Sequence, residues 1–305
     1  MRISKLAVLV FLAVSLGSSV LAADGPERVY VPYTQAVGGD PPTASALFAS
    51  NSNDFLISYV TTASSRRHPS NPPSICPVGQ TPISELKIVV PYDTTFLGRF
   101  SSPADRDAFI LERIADINAT IRKTEPNGNR RVSLAFSWLV PYTSHGVRED
   151  DFRWETTSPE ILAMKKNYNA VVAFWVGERG DFAGIASSPA NGDSSLAWEV
   201  LAFDAASEGV ASALFGLTLG MNRQLQIEPN IQPPYAHEYS TQNFYTASAD
   251  PSVCLPACKR ADIWSSPLIL VNGEPAGKIG VAEDNRVLSQ GFQTLGAQTV
   301  CVSGQ

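Results

Sequence analysis

The sequence predicts an α/β (α+β) domain, a mixed twisted sheet with long helices, followed by an irregular C-terminal subdomain. Three observations carry that expectation. Apolar runs at residues 86–91, 132–140 and 170–176 have the length and the valine and isoleucine content of buried strands. Two stretches with helical apolar spacing separate them, so strand, helix, strand, helix and strand alternate, the order of a covered sheet with parallel strands. Beyond about residue 220 the chain turns to loops, a close cysteine pair and short hairpin signals.

The chain opens with Arg2 and Lys5, an apolar run over residues 6–16 and the small-x-small pattern Val20-Leu21-Ala22. These are the parts of a secretory signal peptide, and the run is too short for a bilayer span. The expected product is secreted or periplasmic. Residues 1–22 are read as the leader, 23–83 as an irregular N-terminal extension, and 84–301 as the main domain. The extension is crowded with Ser, Thr, Asn, Pro and Gly, with strand-like pieces at 29–33 and 55–60.

In the main domain, Ser102 and Pro103 are an N-cap and a first-turn proline, and Asp105 lies in the first turn. Phe109, Ile110, Ile114, Ile117 and Ile121 then recur at helical spacing to about Lys123. Ser158-Pro159-Glu160 starts a second helix that runs to Tyr168. Residues 180–189 read as a loop or edge strand, and 196–203 as a further strand. Asp204 or Ser207 would cap a helix ended by Gly220. That helix is apolar almost all round (Val210, Ala211, Ala213, Leu214, Phe215, Leu217, Leu219), so it is expected to be buried. Asn272-Gly273 marks a hairpin turn, and a last helix is expected over 283–295.

Composition excludes some functions. Losing the leader removes Arg2 and Lys5 and leaves 21 basic against 29 acidic residues, a net charge of −8. Such a chain has no electrostatic reason to bind nucleic acid or an anionic membrane surface. The stretch 196–221 is the longest apolar-rich one, and Glu199, Asp204 and Glu208 interrupt it, so no membrane span is expected. The four cysteines Cys76, Cys254, Cys258 and Cys301 suit two disulfides in an exported protein, with three pairings open. Glu149-Asp150-Asp151 reads as a solvated acidic turn rather than a calcium loop. The five tryptophans read as core or core edge. Asn118-Ala119-Thr120 is a glycosylation sequon placed in the middle of a helix.

Four stretches carry a resemblance. Residues 213–223 read Ala-Leu-Phe-Gly-Leu-Thr-Leu-Gly-Met-Asn-Arg, and residues 183–186 read Ala-Gly-Ile-Ala. Residues 239–245 read Tyr-Ser-Thr-Gln-Asn-Phe-Tyr. Trp264-Ser265-Ser266-Pro267 is followed by Asn272-Gly273-Glu274-Pro275-Ala276-Gly277 and by Asp284-Asn285-Arg286. In order and spacing these resemble the metzincin metallopeptidases, in particular the secreted bacterial reprolysin-like branch, whose active-site helix carries H-E-x-x-H-x-x-G-x-x-H. The resemblance implies a zincin-like fold over about residues 84–301. It places the metal-ligand positions on Ala213, Leu217 and Arg223, the general-base position on Leu214, and the Met-turn methionine position on Asn243. It also places the cleft-edge strand at Ala183, Gly184, Ile185, Ala186, Ser187 and Ser188.

None of those substitutes can do zinc chemistry. A catalytic zinc needs three N, O or S ligands and an open position for water. Two ligands on one helix must stand at i and i+4 to face the same ion. Alanine and leucine have no donor atom, and arginine is a permanent cation. Leucine cannot act as a general base. The three histidines His68, His145 and His237 lie far apart, and His237-Glu238 starts the zinc motif without completing it. No G-x-S-x-G elbow occurs. Arg223 is expected to reach solvent or to pair with a carboxylate such as Glu228. The expectation is therefore no cofactor, no catalytic residue and a protein or peptide partner, held by strand addition at the cleft edge. The alternative is an active zinc endopeptidase with unusual ligands.

Overall fold

The computed structural model describes residues 28–32, 57–59, 76–126, 128–187, 198–206, 209–222, 233–249 and 258–303. The leader, His68, Ser188, Arg223, Glu228 and Cys254 lie outside the described residues.

The domain is mixed α/β, as the sequence predicts. Its main sheet is built on β3 (Gln80–Tyr92), a 13-residue strand whose second half is almost entirely buried. β4 (Arg130–Leu139) pairs with it in parallel over Ser84–Tyr92. β5 (Ala170–Val176) pairs in parallel with residues 87–92 of β3, and β12 (Gln298–Ser303) pairs antiparallel with residues 80–85. β5 and β12 therefore share one flank of β3 end to end, and β4 takes the other. β7 (Trp198–Ala202) lies parallel to β5, β6 (Phe182–Ser187) antiparallel to β7, and β1 (Arg28–Pro32) antiparallel to β6. The sheet is mixed, parallel at β4, β3, β5 and β7 and antiparallel at β6, β1 and β12.

Local sequence accounts for the helices. α1 (Thr94–Leu97) is capped by Asp93, which accepts from the Phe96 N–H. α2 (Pro103–Thr124) begins at Ser102, whose hydroxyl accepts from the Asp105 N–H at 3.2 Å, and it buries Ile110, Ile114, Ile117 and Ile121. α3 (Glu149–Thr157) occupies the acidic stretch that the sequence reading assigned to a solvated turn. The three acids complement the positive helix N-terminus, and Asp151 is buried, accepting from the Arg148 N–H and the Tyr142 hydroxyl. α4 (Pro159–Tyr168) follows and ends at Asn169 with φ of 46°.

The apolar helix is shorter than its pattern. α5 (Phe203–Ala206) ends first, and α6 (Val210–Thr218) restarts at Gly209, whose φ is 82°. Every residue of α6 is buried. α6 packs on β6, β7 and α2. Phe96, Phe100, Phe109, Trp175 and Phe203 form an aromatic cluster at one end of this core, with Phe109 and Phe203 stacked at 4.8 Å.

Two short pieces of the N-terminal extension pair with the domain. β1 joins the main sheet, and β2 (Ile57–Tyr59) adds to β10 (Ser266–Val271), which forms a hairpin with β11 (Glu274–Ala276). The hairpin turns through Asn272 and Gly273 at φ of 51° and 87°, as the Asn-Gly pair predicts. β8 (Phe244–Tyr245) and β9 (Lys259–Arg260) form a third, two-stranded sheet. α7 (Asp284–Thr294) precedes β12. Cys76 and Cys301 form a disulfide with Cα atoms 5.5 Å apart, and Cys258 is also disulfide-bonded. Among the described residues no helix is long and apolar enough to cross a membrane.

Candidate functional site

Helix α6 lies where the sequence places the ligand positions, and its side chains form part of the core. Ala213 and Leu217 are one turn apart and buried, with Leu217 at 1 % exposure. Leu214 is fully buried and fills the space that Gly184 leaves on β6, since a Cβ at 184 would collide with the Leu214 side chain. On the other side, Gly216 admits the Trp264 indole and the Ser248 hydroxyl, which a Cβ would approach to 2.5 and 2.6 Å. Phe215, Leu219 and Met221 complete an apolar layer. These residues offer nothing a zinc ion can use. Among the described residues no three His, Cys, Asp or Glu side chains cluster in a way that could hold a metal. The side chains of α6 do not fit a zinc ion.

The other predicted positions fall as follows. His145 is exposed and His237 is buried. Asn243, at the Met-turn position, sits on the surface, where its side-chain amide donates to Glu274 at 2.5 Å. The residue that reaches the underside of α6 is Ser248, whose hydroxyl donates to the Ala213 carbonyl at 3.0 Å. Ala183, Gly184, Ile185, Ala186 and Ser187 lie on buried β6. That strand is not a free edge. Residues 28–31 run antiparallel along it, with Arg28 opposite Ser187, Tyr30 opposite Ile185 and Val31 opposite Gly184. The edge expected to receive a peptide is thus filled by the chain's own N-terminal strand. Asn118 is tied down at both ends of its amide, donating to the Val132 carbonyl and accepting from the Val132 N–H at 2.8 and 2.7 Å.

The sequence reading missed a set of buried acids. Glu199 on β7 is fully inside, and burial pushes its carboxyl up to about 8. The Thr218 hydroxyl lies 3.5 Å from it and 3.0 Å from the Leu214 carbonyl. Glu155 on α3 is raised well above the carboxylate range by burial and then by the neighbouring Glu199. Glu238 is pushed by burial to about 7, although Thr246, Ser248 and Ser265 all donate to it. Asp284 is raised well above its usual range by burial and by Glu238. The only sequence signal for these groups was an acid inside an apolar stretch, as at Glu199. No sequence pattern distinguishes a buried acid there from an exposed one.

No family model matches the chain, and no curated protein sequence does. Among solved structures, 101 chains match. One, described as the structure of a chaperone–substrate complex, aligns at a TM-score of 0.56 and 12 % identity over 70 % of this chain and 34 % of its own. Another, metalloproteinase-II from Bacteroides fragilis, aligns at a TM-score of 0.34 and 12 % identity over 49 % of each chain. The chain thus spans about a third and about half of the lengths of these two structures. At such identity the first likeness speaks to the fold alone.

Proposed function

We propose that this chain is a secreted, catalytically inactive metalloprotease-like protein that acts by binding a protein or peptide partner, with residues 1–22 as its signal peptide. The observation that carries the reading is the side-chain content of α6. Ala213 and Leu217 stand at the i and i+4 positions of a zinc motif without a donor atom, and Leu214 is packed against Gly184 where a general base would stand. Hydrolysis needs an activated water, and none of these side chains polarises or deprotonates one. What remains usable for recognition is backbone. β6 offers N–H and C=O groups along one flank, and β1 takes them up as an added antiparallel strand, the geometry by which extended peptides join sheets. A partner segment would replace β1 there.

Elemental analysis of the purified chain, together with a peptide-hydrolysis assay, tests the inactive reading. We expect substoichiometric zinc and no chelator-sensitive cleavage. Stoichiometric zinc with chelator-sensitive cleavage would overturn it in favour of an endopeptidase with unusual ligands. The binding reading is tested with the chain lacking residues 23–33 and an extended peptide of sequence Arg28–Pro32. The truncated chain should bind the peptide and the full chain should bind it more weakly. Absence of binding to either removes the strand-addition mode.

A further inference from the structure

We propose that Glu238 and Asp284 hold a shared proton, and that this proton clamps the C-terminal subdomain beneath helix α6, loosening as the solution becomes alkaline. The inference is independent of the partner-binding reading.

Both side chains are buried, at 2 % and 0 % exposure, and both fasten onto Ser265. The Ser265 N–H donates to Glu238 Oε2 at 3.2 Å. The Ser265 hydroxyl lies 2.8 Å from Asp284 Oδ2 and 2.7 Å from the His237 carbonyl, and it accepts from the Asp284 N–H at 3.1 Å. One hydroxyl carries one hydrogen. Given to the His237 carbonyl, which can only accept, it leaves Asp284 Oδ2 facing an oxygen with no hydrogen between them unless Asp284 supplies one. Asp284 Oδ1 is buried with no donor directed at it. The Glu238 carboxyl is hydrogen-bonded to that of Asp284 and raises it, and two carboxylates cannot both stay ionised side by side out of water, so one proton must remain.

The surroundings settle which carboxyl is the carboxylate. Glu238 receives the Thr246 hydroxyl, the Ser248 N–H at 3.0 Å and the Ser265 N–H, all donors that favour the ionised form. Asp284 is offered only Ser265, whose single hydroxyl hydrogen the His237 carbonyl also claims, so the proton resides there. Among the described residues, the influences on the pair are burial, the neighbouring carboxyl and Ser and Thr donors, with no cation among them. Residues 246–249, residues 264–266 and α6 carry no charged side chain. Residues 236–238 add only His237, whose carbonyl faces Ser265. On the approach to α7, Glu283 is taken by Arg286 at 2.8 Å and by the Gly280 N–H at 3.0 Å. On β9, Arg260 is held by Asp262 at 3.3 Å and by the Gly209 carbonyl at 2.8 Å.

The pair joins four pieces of chain far apart in sequence. Through Glu238 it holds residues 246–248, and Ser248 in turn holds the Ala213 carbonyl on α6. Through Ser265 it holds the start of β10 and the N-terminus of α7. Losing the last proton leaves two adjacent buried anions, and the least costly relief is for these segments to separate and admit water.

Urea unfolding of the full chain at several pH values between 5 and 8, followed by tryptophan fluorescence, tests the proposal against Asp284→Asn. One proton bound only in the folded state makes the unfolding constant rise about tenfold per pH unit. We expect the wild-type slope to exceed that of Asp284→Asn by about that factor, and parallel slopes would overturn the proposal. If the variant does not fold, a carbon-13 NMR titration of aspartate carboxyls in the wild-type chain decides. One aspartate should keep its protonated shift well past pH 6, and a spectrum in which every aspartate has ionised by then would overturn it.

Discussion

Leu217 and Leu214 are buried side chains of α6. A histidine at 217 would bring two ring nitrogens that need partners, and a leucine brings only surface that prefers to leave water. With 1 % and 0 % exposure, each contributes about 1.5–3 kcal/mol by burial. Truncation also leaves a cavity, because α6 is packed on β6, β7 and α2 and cannot collapse around the gap. Leu217→Ala should therefore lower unfolding free energy by about 2–5 kcal/mol in urea denaturation. A loss below about 0.5 kcal/mol, the size of an ordinary surface substitution, would show that the site is not the packed layer described. Glu199 makes the opposite kind of contribution. Its folded carboxyl titrates near 8 because it is buried, and an unfolded glutamate titrates near its model value of 4.5. The folded state then holds a proton that the unfolded state has released. The associated stability is fully present below the unfolded value and is lost as pH rises through about 8. Glu199→Gln cannot ionise, so its stability should fall less between pH 6 and 9 than that of the wild type. Identical profiles in thermal melts at those pH values would show that Glu199 is not buried as an acid.

At the scale of an element, the start of α6 shows tertiary context setting a boundary. Asp204 and Ser207 are the caps that the sequence offers, and α6 begins instead after Gly209. Gly209 has φ of 82°, a region that side-chain-bearing residues rarely adopt, and its missing Cβ is the room in which the Arg260 guanidinium lies. Arg260 then donates to the Gly209 carbonyl at 2.8 Å and so ties β9 to the start of α6. Gly209→Ala meets both obstacles, strain and collision. We expect it to destabilise by about 1–3 kcal/mol in denaturant unfolding, with Arg260→Ala in the same background recovering part of the loss. If Arg260→Ala recovers nothing, the collision is not the cause. β6 is a second such case. Its sequence suits an edge strand, and the structure covers that edge with a strand drawn from more than 150 residues away.

For the whole molecule, the ends of the domain are stapled together. The disulfide joins Cys76 to Cys301 across 225 positions, bringing β12 beside the first half of β3. A cross-link of that span restricts the unfolded chain strongly, and loss of such a bond costs about 2–5 kcal/mol. Cys76→Ser with Cys301→Ser should lower stability by that amount in an oxidising buffer, with the far-ultraviolet circular dichroism of the folded state kept. Unchanged stability would show that the β3–β12 pairing holds the ends without covalent help. The buried acids also act at this scale. Burial raises Glu155, Glu199 and the Glu238–Asp284 pair, so each of the two single acids, and the pair through its shared proton, contributes to stability that declines toward alkaline pH.

The order of residues settles the elements with short-range causes. Ser102-Pro103 fixed the start of α2, Asn272-Gly273 fixed the hairpin, the run at 170–176 fixed β5, and the apolar ring around α6 fixed its burial. It also determined that the helix at 213–217 carries no metal donor, because that is a matter of side-chain identity. Tertiary structure decided the rest. That Asp151 is buried against the Tyr142 hydroxyl, and that Ser248 rather than Asn243 meets α6, depends on how distant residues fold together. The β12 strand, the Cys76–Cys301 bond and the covering of β6 by β1 are pairings between distant segments. Local propensity reports only the cost of shaping each segment. Which segments meet, and which acids lose their water, depends on burial and hydrogen bonding in the assembled chain.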